Sequence, residues 1–209
     1  MATTIKFTGT TDISAYDSKA IAALTPADLA VFSKTQAASL TADQMAGFSA
    51  ATLPAIAGVL KSVPVDALSG IAAKNIIGLP VKSLVADQVK ALEGAQLAAL
   101  SSTQVAALNK SQILAIDVDN LENLNLAGVT ISNIDSTIFD NLSTAQIAKL
   151  TTAQIAGLNA SQISAITADQ AAVLTPTQAA GITAKQAPYI EAADLGALSP
   201  KAFAALPAD

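Results

Sequence analysis

The residues with the clearest capacity for chemistry form an acidic cluster, Asp117-Val-Asp119-Asn120-Leu-Glu122. Alternating carboxylate and amide oxygens are typical of calcium loops, in which side chains two residues apart converge on one ion. Here Leu121 stands where a third ligand is needed, and the turn glycine of such a loop is missing. The cluster fits a helix start better, with Asp117 as the capping residue, so we expect no metal ion at this place.

Three Asn-x-Ser sequences, at Asn109, Asn141 and Asn159, match the acceptor for N-glycosylation. Asn109 and Asn159 are also explained as helix caps, which weakens the match. Carbohydrate binding favours exposed aromatic rings, and Tyr189 is the aromatic residue that we expect on the surface. The other aromatic residues within the repeats fall on predicted core positions: Tyr16, Phe32, Phe48, Phe139 and Phe203.

The residue types needed for most enzyme chemistry are missing from the sequence. It has no His and no Cys, so it can form neither a conventional Ser or Cys triad nor a usual zinc site. It also has no glycine-rich phosphate loop. We therefore predict a protein that is not an enzyme, with no catalytic residues, no cofactor-binding residues, no metal ligands and no cofactor.

The elements that carry these residues are short repeats. Within each cluster the glutamines are separated by multiples of eight residues, and the repeat unit is [Ser/Thr/Asn]-x-x-Gln-aliphatic-Ala-x-Leu. Extended outward, this pattern gives twenty-three octads that cover nearly the whole chain. The twelve glutamines are residues 36, 44, 88, 96, 104, 112, 146, 154, 162, 170, 178 and 186.

Each octad is predicted to form one short capped α-helix. Positions 5 and 8 are apolar, and residues three apart share a face of a helix but not of a strand, so both should point inward. Position 1 is Ser, Thr, Asn or Asp in seventeen of the twenty-three octads, and glutamine three residues later completes a capping box. Pro26, Pro176 and Pro200 stand at position 2, the first helical position. Since helices this short are unstable alone, we predict an all-α solenoid or superhelix, with three or four octads per turn.

The octads predict a single α-solenoid over residues 1–209. Its blocks are 9–56, 61–124 and 135–206, separated by irregular segments 57–60 and 125–134, and residues 1–8 are an expected extended N-terminal cap. The wider regions 54–80 and 117–141 depart from the repeat. They are interpreted either as hinges or contact sites or, preferably, as tolerated irregularities. Within the second region, residues 125–132 alternate like a strand.

Composition and charge exclude two classes of partner. The net charge is −5, the isoelectric point is about 4.5, and the eleven basic residues, all Lys, are scattered singly, so nucleic acid is not an expected partner. Although 52% of residues are hydrophobic, no apolar run reaches the ~18 residues of a spanning helix, so we expect no membrane insertion. No N-terminal signal peptide is visible, and the absence of Cys leaves the compartment open.

The phrase Leu-Thr-Ala-Asp-Gln-aliphatic-Ala is similar to octapeptide-repeat tracts of large secreted bacterial surface proteins, of the haem-utilisation, adhesion or RTX-type adhesin kind. Residues 40–45, 84–89 and 142–182 carry this resemblance. It implies an extracellular or cell-surface location, since such proteins are commonly exported without an N-terminal signal. The RTX calcium-binding nonapeptides are missing here, and no functional residues are carried over.

We therefore expect a non-enzymatic structural protein of the bacterial cell surface or extracellular matrix. The predicted C-terminal end of the solenoid exposes an apolar face, so head-to-tail self-assembly into filaments or a layer is the first hypothesis. Its partner is then the protein itself as a homopolymer, with a cell-surface or matrix component as a further partner. The alternative is a monomeric solenoid that serves as a binding module or adhesin spacer and recognises a protein or surface ligand.

Overall fold

The computed structural model describes residues 7–207, and within this range every regular element is helical. The chain divides into two compact units, Met1–Leu108 and Asn109–Asp209. This boundary lies inside the predicted block 61–124, and the single continuous array stays a prediction. The predicted N-terminal cap falls mostly on residues 1–6, which lie outside the described range. Phe7, which follows them, is buried and stacks on Phe32 with ring centroids 5.1 Å apart.

The first unit contains short α-helices at both ends and 3₁₀ helices in the middle. Its elements are α1 (Ser18–Ala22), α2 (Pro26–Leu29), α3 (Lys34–Ala38), α4 (Ala42–Ala46), η1 (Leu53–Ile56), η2 (Leu60–Ser62), η3 (Val65–Gly70), η4 (Ala73–Gly78), η5 (Val81–Ser83), α5 (Ala86–Lys90), α6 (Gly94–Ala98) and α7 (Ser102–Ala107).

The second unit is mainly α-helical, with three 3₁₀ helices. Its elements are α8 (Lys110–Leu114), α9 (Val118–Leu121), η6 (Leu126–Gly128), η7 (Ile131–Asn133), α10 (Ser136–Phe139), α11 (Thr144–Ala148), α12 (Thr152–Ala156), α13 (Ala160–Ser164), α14 (Ala168–Ala172), α15 (Pro176–Ala179), η8 (Ala187–Tyr189), α16 (Ala192–Ala197) and α17 (Pro200–Phe203).

The prediction of one short helix per octad is confirmed in the α-helical octads, and most of these helices have the predicted side-chain cap, which α5, α6 and α16 lack. At α4, for example, the Thr41 side chain accepts from the backbone N–H of Gln44, and Gln44 Oε1 accepts from the backbone N–H of Thr41. Pro26, Pro176 and Pro200 each begin their helix, where a missing N–H costs nothing. The next octad restarts the backbone in extended geometry, so the helices stay four to six residues long.

Each unit is a solenoid in which helices three octads apart pack against each other. In the first unit α1 contacts α4, and in the second α11 contacts α14, α12 contacts α15 and α14 contacts α16. This spacing agrees with the predicted three or four octads per turn. We call one such turn a coil. The small Ala residues at positions 6 and 7 suit close approach between coils.

The predicted core positions are largely confirmed. Ile147 and Leu150, at positions 5 and 8 of one octad, are 1% and 4% exposed. The prediction is wrong for Phe203, which is 54% exposed. Phe203 lies in α17, on the last coil, and no later octad within the described residues packs over its face.

The α-helical prediction is wrong between residues 53 and 83, where η1–η5 are 3₁₀ helices. Pro64 and Pro80 stand at position 4 of their octads and precede η3 and η5. Proline lacks the N–H to which a capping side chain would bond, and it disfavours the α conformation in the residue before it. Val63 and Leu79, which precede the two prolines, are extended. The buried residues shift as well between residues 61 and 76: positions 8 and 3 are buried there, as in Leu68 and Ile71, while Val65 at position 5 is 38% exposed.

The strand-like alternation predicted for residues 125–132 is also wrong. This segment forms the 3₁₀ helices η6 and η7, and Leu126, Val129 and Ile131 are buried. The described residues contain no neighbouring strand that could pair with it. The chain therefore satisfies the apolar pattern with i, i+3 burial on short 3₁₀ turns.

Substituting Thr for Val85 is expected to stabilise the first unit by about 0.5–1 kcal/mol. Val85 stands at the N-cap of α5 in the same extended backbone geometry as Thr41, but it provides no side-chain cap and is 40% exposed. Threonine adds an acceptor for the backbone N–H of Gln88. Urea denaturation followed by circular dichroism measures the change. Val31→Thr is the control: Val31 is 48% exposed but caps no helix, so a matching gain there would contradict the capping explanation.

Candidate functional site: the glutamine ladder

The most distinctive polar groups of the structure are buried glutamines that join one coil to the coil before it. Gln162 is fully buried, and its Oε1 accepts from the backbone N–H of Asn159 at 2.9 Å. Its Nε2 donates to the carbonyl oxygens of Ile131 and Ile134 at 2.8 and 2.6 Å. One amide thus completes the helix start and holds two carbonyls about thirty residues earlier, which satisfies its donors and its acceptor without water.

The same arrangement recurs along both units, and we call it the glutamine ladder. In each case Oε1 accepts from the N-cap backbone N–H three residues earlier and Nε2 donates to carbonyls of an earlier coil. Besides Gln162, the members are Gln36, Gln44, Gln88, Gln96, Gln104, Gln146, Gln154, Gln170, Gln178 and Gln186.

The ladder has two main registers, which differ in the number of residues between the glutamine and its two acceptors. Gln178 donates to Ile147 and Leu150, residues 31 and 28 positions earlier, on an α-helical octad. Gln96 donates to Leu68 and Ile71, which are 28 and 25 positions earlier, on the 3₁₀ segment. In both cases the acceptors belong to a buried i, i+3 pair.

Sequence reasoning identified these glutamines as capping residues and missed their second role. A capping box needs only an acceptor at this position, and Glu serves as well as Gln. The signal was therefore available: twelve octads have Gln at position 4 and none has Glu. The amide N–H₂ is the group that Glu lacks, and the structure shows where it donates.

Octads without glutamine link their coils in other ways. We call the bonds that one ladder side chain makes to the earlier coil a rung. In the 3₁₀ segment Asn75 donates from Nδ2 to the carbonyl of Phe48 at 3.0 Å, and this bond takes the place of a glutamine rung. Near the end of the second unit, Asp194 occupies the glutamine position and is 3% exposed. Among the side chains of residues 7–207, its Oδ2 is a buried atom without a hydrogen-bond partner.

In the first unit, glycines allow two coils to approach at the level of the backbone. A Cβ atom at Gly70 would collide with the carbonyl oxygen of Ala42, and one at Gly78 with that of Ala50. Neither glycine has a positive φ. These two positions therefore require glycine because there is no room for a side chain, and not because of their backbone conformation. Gly58, in contrast, has open space around the place of a Cβ.

The acidic cluster lies at the start of α9. Asp117 is its N-cap residue, and Asn120 takes the glutamine position of this octad. Within residues 7–207, no group of three or more His, Cys, Asp and Glu side chains is arranged to hold a metal ion. An ion pair close to this cluster in the sequence joins Lys110 to Asp135 at 2.6 Å. The hydrogen bond from Lys110 is the main cause that lowers the pKa of Asp135 to about 2.

The capping role predicted for two glycosylation-type asparagines is confirmed. Asn109 Oδ1 accepts from the backbone N–H of Gln112, and Asn159 Oδ1 accepts from that of Gln162. Asn141 is exposed, and its Nδ2 donates to the carboxylate of Asp140. Tyr189 is 48% exposed, as predicted, and borders a shallow depression with Ser136, Thr137, Ser161 and Ser164 among its lining residues.

These features define the class of the molecule: an all-helical repeat protein whose coils are linked by buried glutamine side chains. None of the helices within residues 7–207 has the length and apolar character needed to cross a membrane.

Comparison with known families supports this classification. A family model described as the ALTTAQ repeat matches residues 81–125, which identifies a repeat tract of this kind over less than a quarter of the chain. The letters Leu-Thr-Thr-Ala-Gln of that description also stand at residues 150–154, with Gln154 in the ladder. No curated protein and no solved structure matches this chain.

Proposed function

We propose that this chain is a non-enzymatic structural segment of a bacterial secreted or cell-surface protein, where it acts as a helical-repeat spacer. The proposal rests on one observation: the buried polar side chains of the chain bond to its own backbone. Within the described residues, the buried polar side chains are glutamines at the ladder position, together with Asp194. The bonds of the ladder run to the chain's own backbone, so these amides serve cohesion between coils and are not available to a substrate.

The proposed location rests on the resemblance of the octads to tracts of large surface proteins, of the haem-utilisation, adhesion or RTX-type adhesin kind. The ladder adds a physical reason why such a segment suits a spacer. Each coil is held to the previous one by directional bonds and by apolar burial, and a solenoid of this kind lengthens by adding equivalent repeats. A spacer needs length and stable contacts between its coils, and it does not need a binding pocket.

Head-to-tail self-assembly is the second candidate, and the exposed aromatic ring of Phe203 favours it. Leu195 is only partly buried, so the last coil of the second unit leaves apolar area open. A second copy that docked its first coil there could not extend the ladder, however. The glutamine position is Asp12, Ala20 and Asp28 in the first three octads, and none of these supplies an amide donor. We therefore prefer the spacer.

Sedimentation velocity and negative-stain microscopy over a wide concentration range separate the two candidates. The spacer proposal expects a monomer at every concentration and no change in Phe203→Ser. Growth of filaments or layers, weakened by Phe203→Ser, would overturn it in favour of self-assembly. Tyr189→Ser is the matched control, because Tyr189 is an aromatic residue of similar exposure outside the last two octads.

A further inference from the structure

Asp194 occupies the place of a glutamine but carries different chemistry. It is the third residue of α16, three residues after the N-cap Glu191, and Gln178 has the same place in α15. The backbone N–H of Glu191, which corresponds to the group from which glutamine Oε1 accepts, acts to lower the pKa of the Asp194 carboxyl group. The Oδ2 oxygen of Asp194 is buried and has no hydrogen-bond partner among the described residues.

The register of the ladder identifies what lies opposite this oxygen. Gln178 donates to carbonyls 31 and 28 residues earlier, and Gln186 does the same to Ile155 and Leu158. The same register assigns the carbonyls of Ile163 and Ile166 to Asp194. A carboxylate cannot donate to a carbonyl, whereas a protonated carboxyl group has one O–H donor.

We propose that Asp194 is a proton-dependent rung of the ladder: when protonated it donates from Oδ2 to a carbonyl of the Ile163–Ile166 pair, and when ionised it releases the last coil. The proton comes from solvent and returns to it, so no other reactant is involved. The last coil, with α16 and α17, is then held more tightly in acid than at neutral pH.

The charges around Asp194 favour the protonated form. Burial is the main cause that raises the pKa of Asp194, and repulsion from the Glu191 carboxylate raises it further. α14, which packs against α16, carries Asp169, and neither helix has a basic residue. Because the folded-state pKa lies above the unfolded value, the stabilisation is present in full below the unfolded pKa. It is lost as the pH rises through the raised value.

Hydrogen exchange of the full chain tests this inference between pH 4 and 8, after correction for intrinsic exchange rates. Protection of the amides in α16 and α17 is expected to fall with rising pH. The fall is about tenfold for each unit by which folding raises the pKa of Asp194. In Asp194→Gln the protection should be nearly constant and higher than in the wild type at pH 8. Asp169→Asn is the matched control, and it should keep the wild-type pH dependence.

Two results would overturn the inference: protection in the wild type that does not change with pH, or the same change in Asp194→Gln as in the wild type. Should Asp194→Gln fail to fold, Asp194→Asn supplies an amide donor of the same length as aspartate. A carbon-detected NMR titration of the wild-type Asp194 carboxyl group gives an independent readout. A pKa at or below the usual aspartate value would count against the inference. None of these outcomes depends on whether the chain is a spacer.

Discussion

Gly70→Ala is expected to destabilise the first unit by about 3 kcal/mol or to prevent it from folding. The added Cβ would overlap the carbonyl group of Ala42 on the neighbouring coil, a backbone group that cannot rotate out of the way. Relief requires the two coils to separate, and separation loosens the burial of Leu68 and Ile71 beside them. Urea denaturation, monitored by circular dichroism, measures the free energy of unfolding.

Gly58→Ala is the matched control for this prediction. It makes the same chemical change in the same unit, but a Cβ at Gly58 meets nothing within 4 Å and its φ is not positive. Alanine restricts the unfolded chain more than glycine does, so a gain of about 0.5 kcal/mol is expected. Equal stability of Gly70→Ala and Gly58→Ala would show that the close backbone approach does not limit the sequence.

Gln162→Glu is expected to lower the free energy of unfolding of the second unit by about 3 kcal/mol at pH 7. The change keeps the size of the side chain and the bond to the backbone N–H of Asn159, but it replaces the amide donor with a carboxylate oxygen. That oxygen then faces the carbonyl oxygens of Ile131 and Ile134 in a site with no exposed surface. Part of the loss should be recovered in acid, where the glutamic acid is protonated and donates again.

Asn159→Asp controls for the added negative charge. Asn159 caps the same helix through its Oδ1 atom, and aspartate caps as well as asparagine, so this change should be nearly neutral. Thermal and urea denaturation at pH 7 and pH 4 compare the two variants. If both lose the same stability, the cost arises from charge at the helix start, and the rungs of the ladder contribute little.

The sequence predicted the fold well because each octad is locally consistent. Capping residues, glutamine at position 4 and apolar residues at positions 5 and 8 all indicate the same short helix, and Thr41 and Gln44 form the predicted box. The packing of helices three octads apart follows from the same period, since one octad alone buries too little apolar surface to be stable.

What could not be predicted lies in contacts between coils. The second role of each glutamine depends on which carbonyls of the earlier coil lie beside it, and their separation in sequence varies between 22 and 31 residues. Prolines such as Pro64 and Pro80 signalled that residues 54–80 were irregular. They did not show that burial would move from position 5 to position 3 within residues 61–76, because that depends on the path of the neighbouring coil. Phe203 was assigned to the core by the same local rule, which takes no account of the number of coils.

The direction of the ladder has a consequence for how the chain becomes folded. The glutamine of each rung always lies on the later coil, and its acceptors always lie on the earlier one, as for Gln186 and the carbonyls of Ile155 and Leu158. Each of these coils therefore closes on residues that have already been synthesised, and the rungs described above span at most 31 positions. Such short loops close quickly. A chain of this kind can fold from its N-terminus onward while it emerges from a ribosome, one coil at a time.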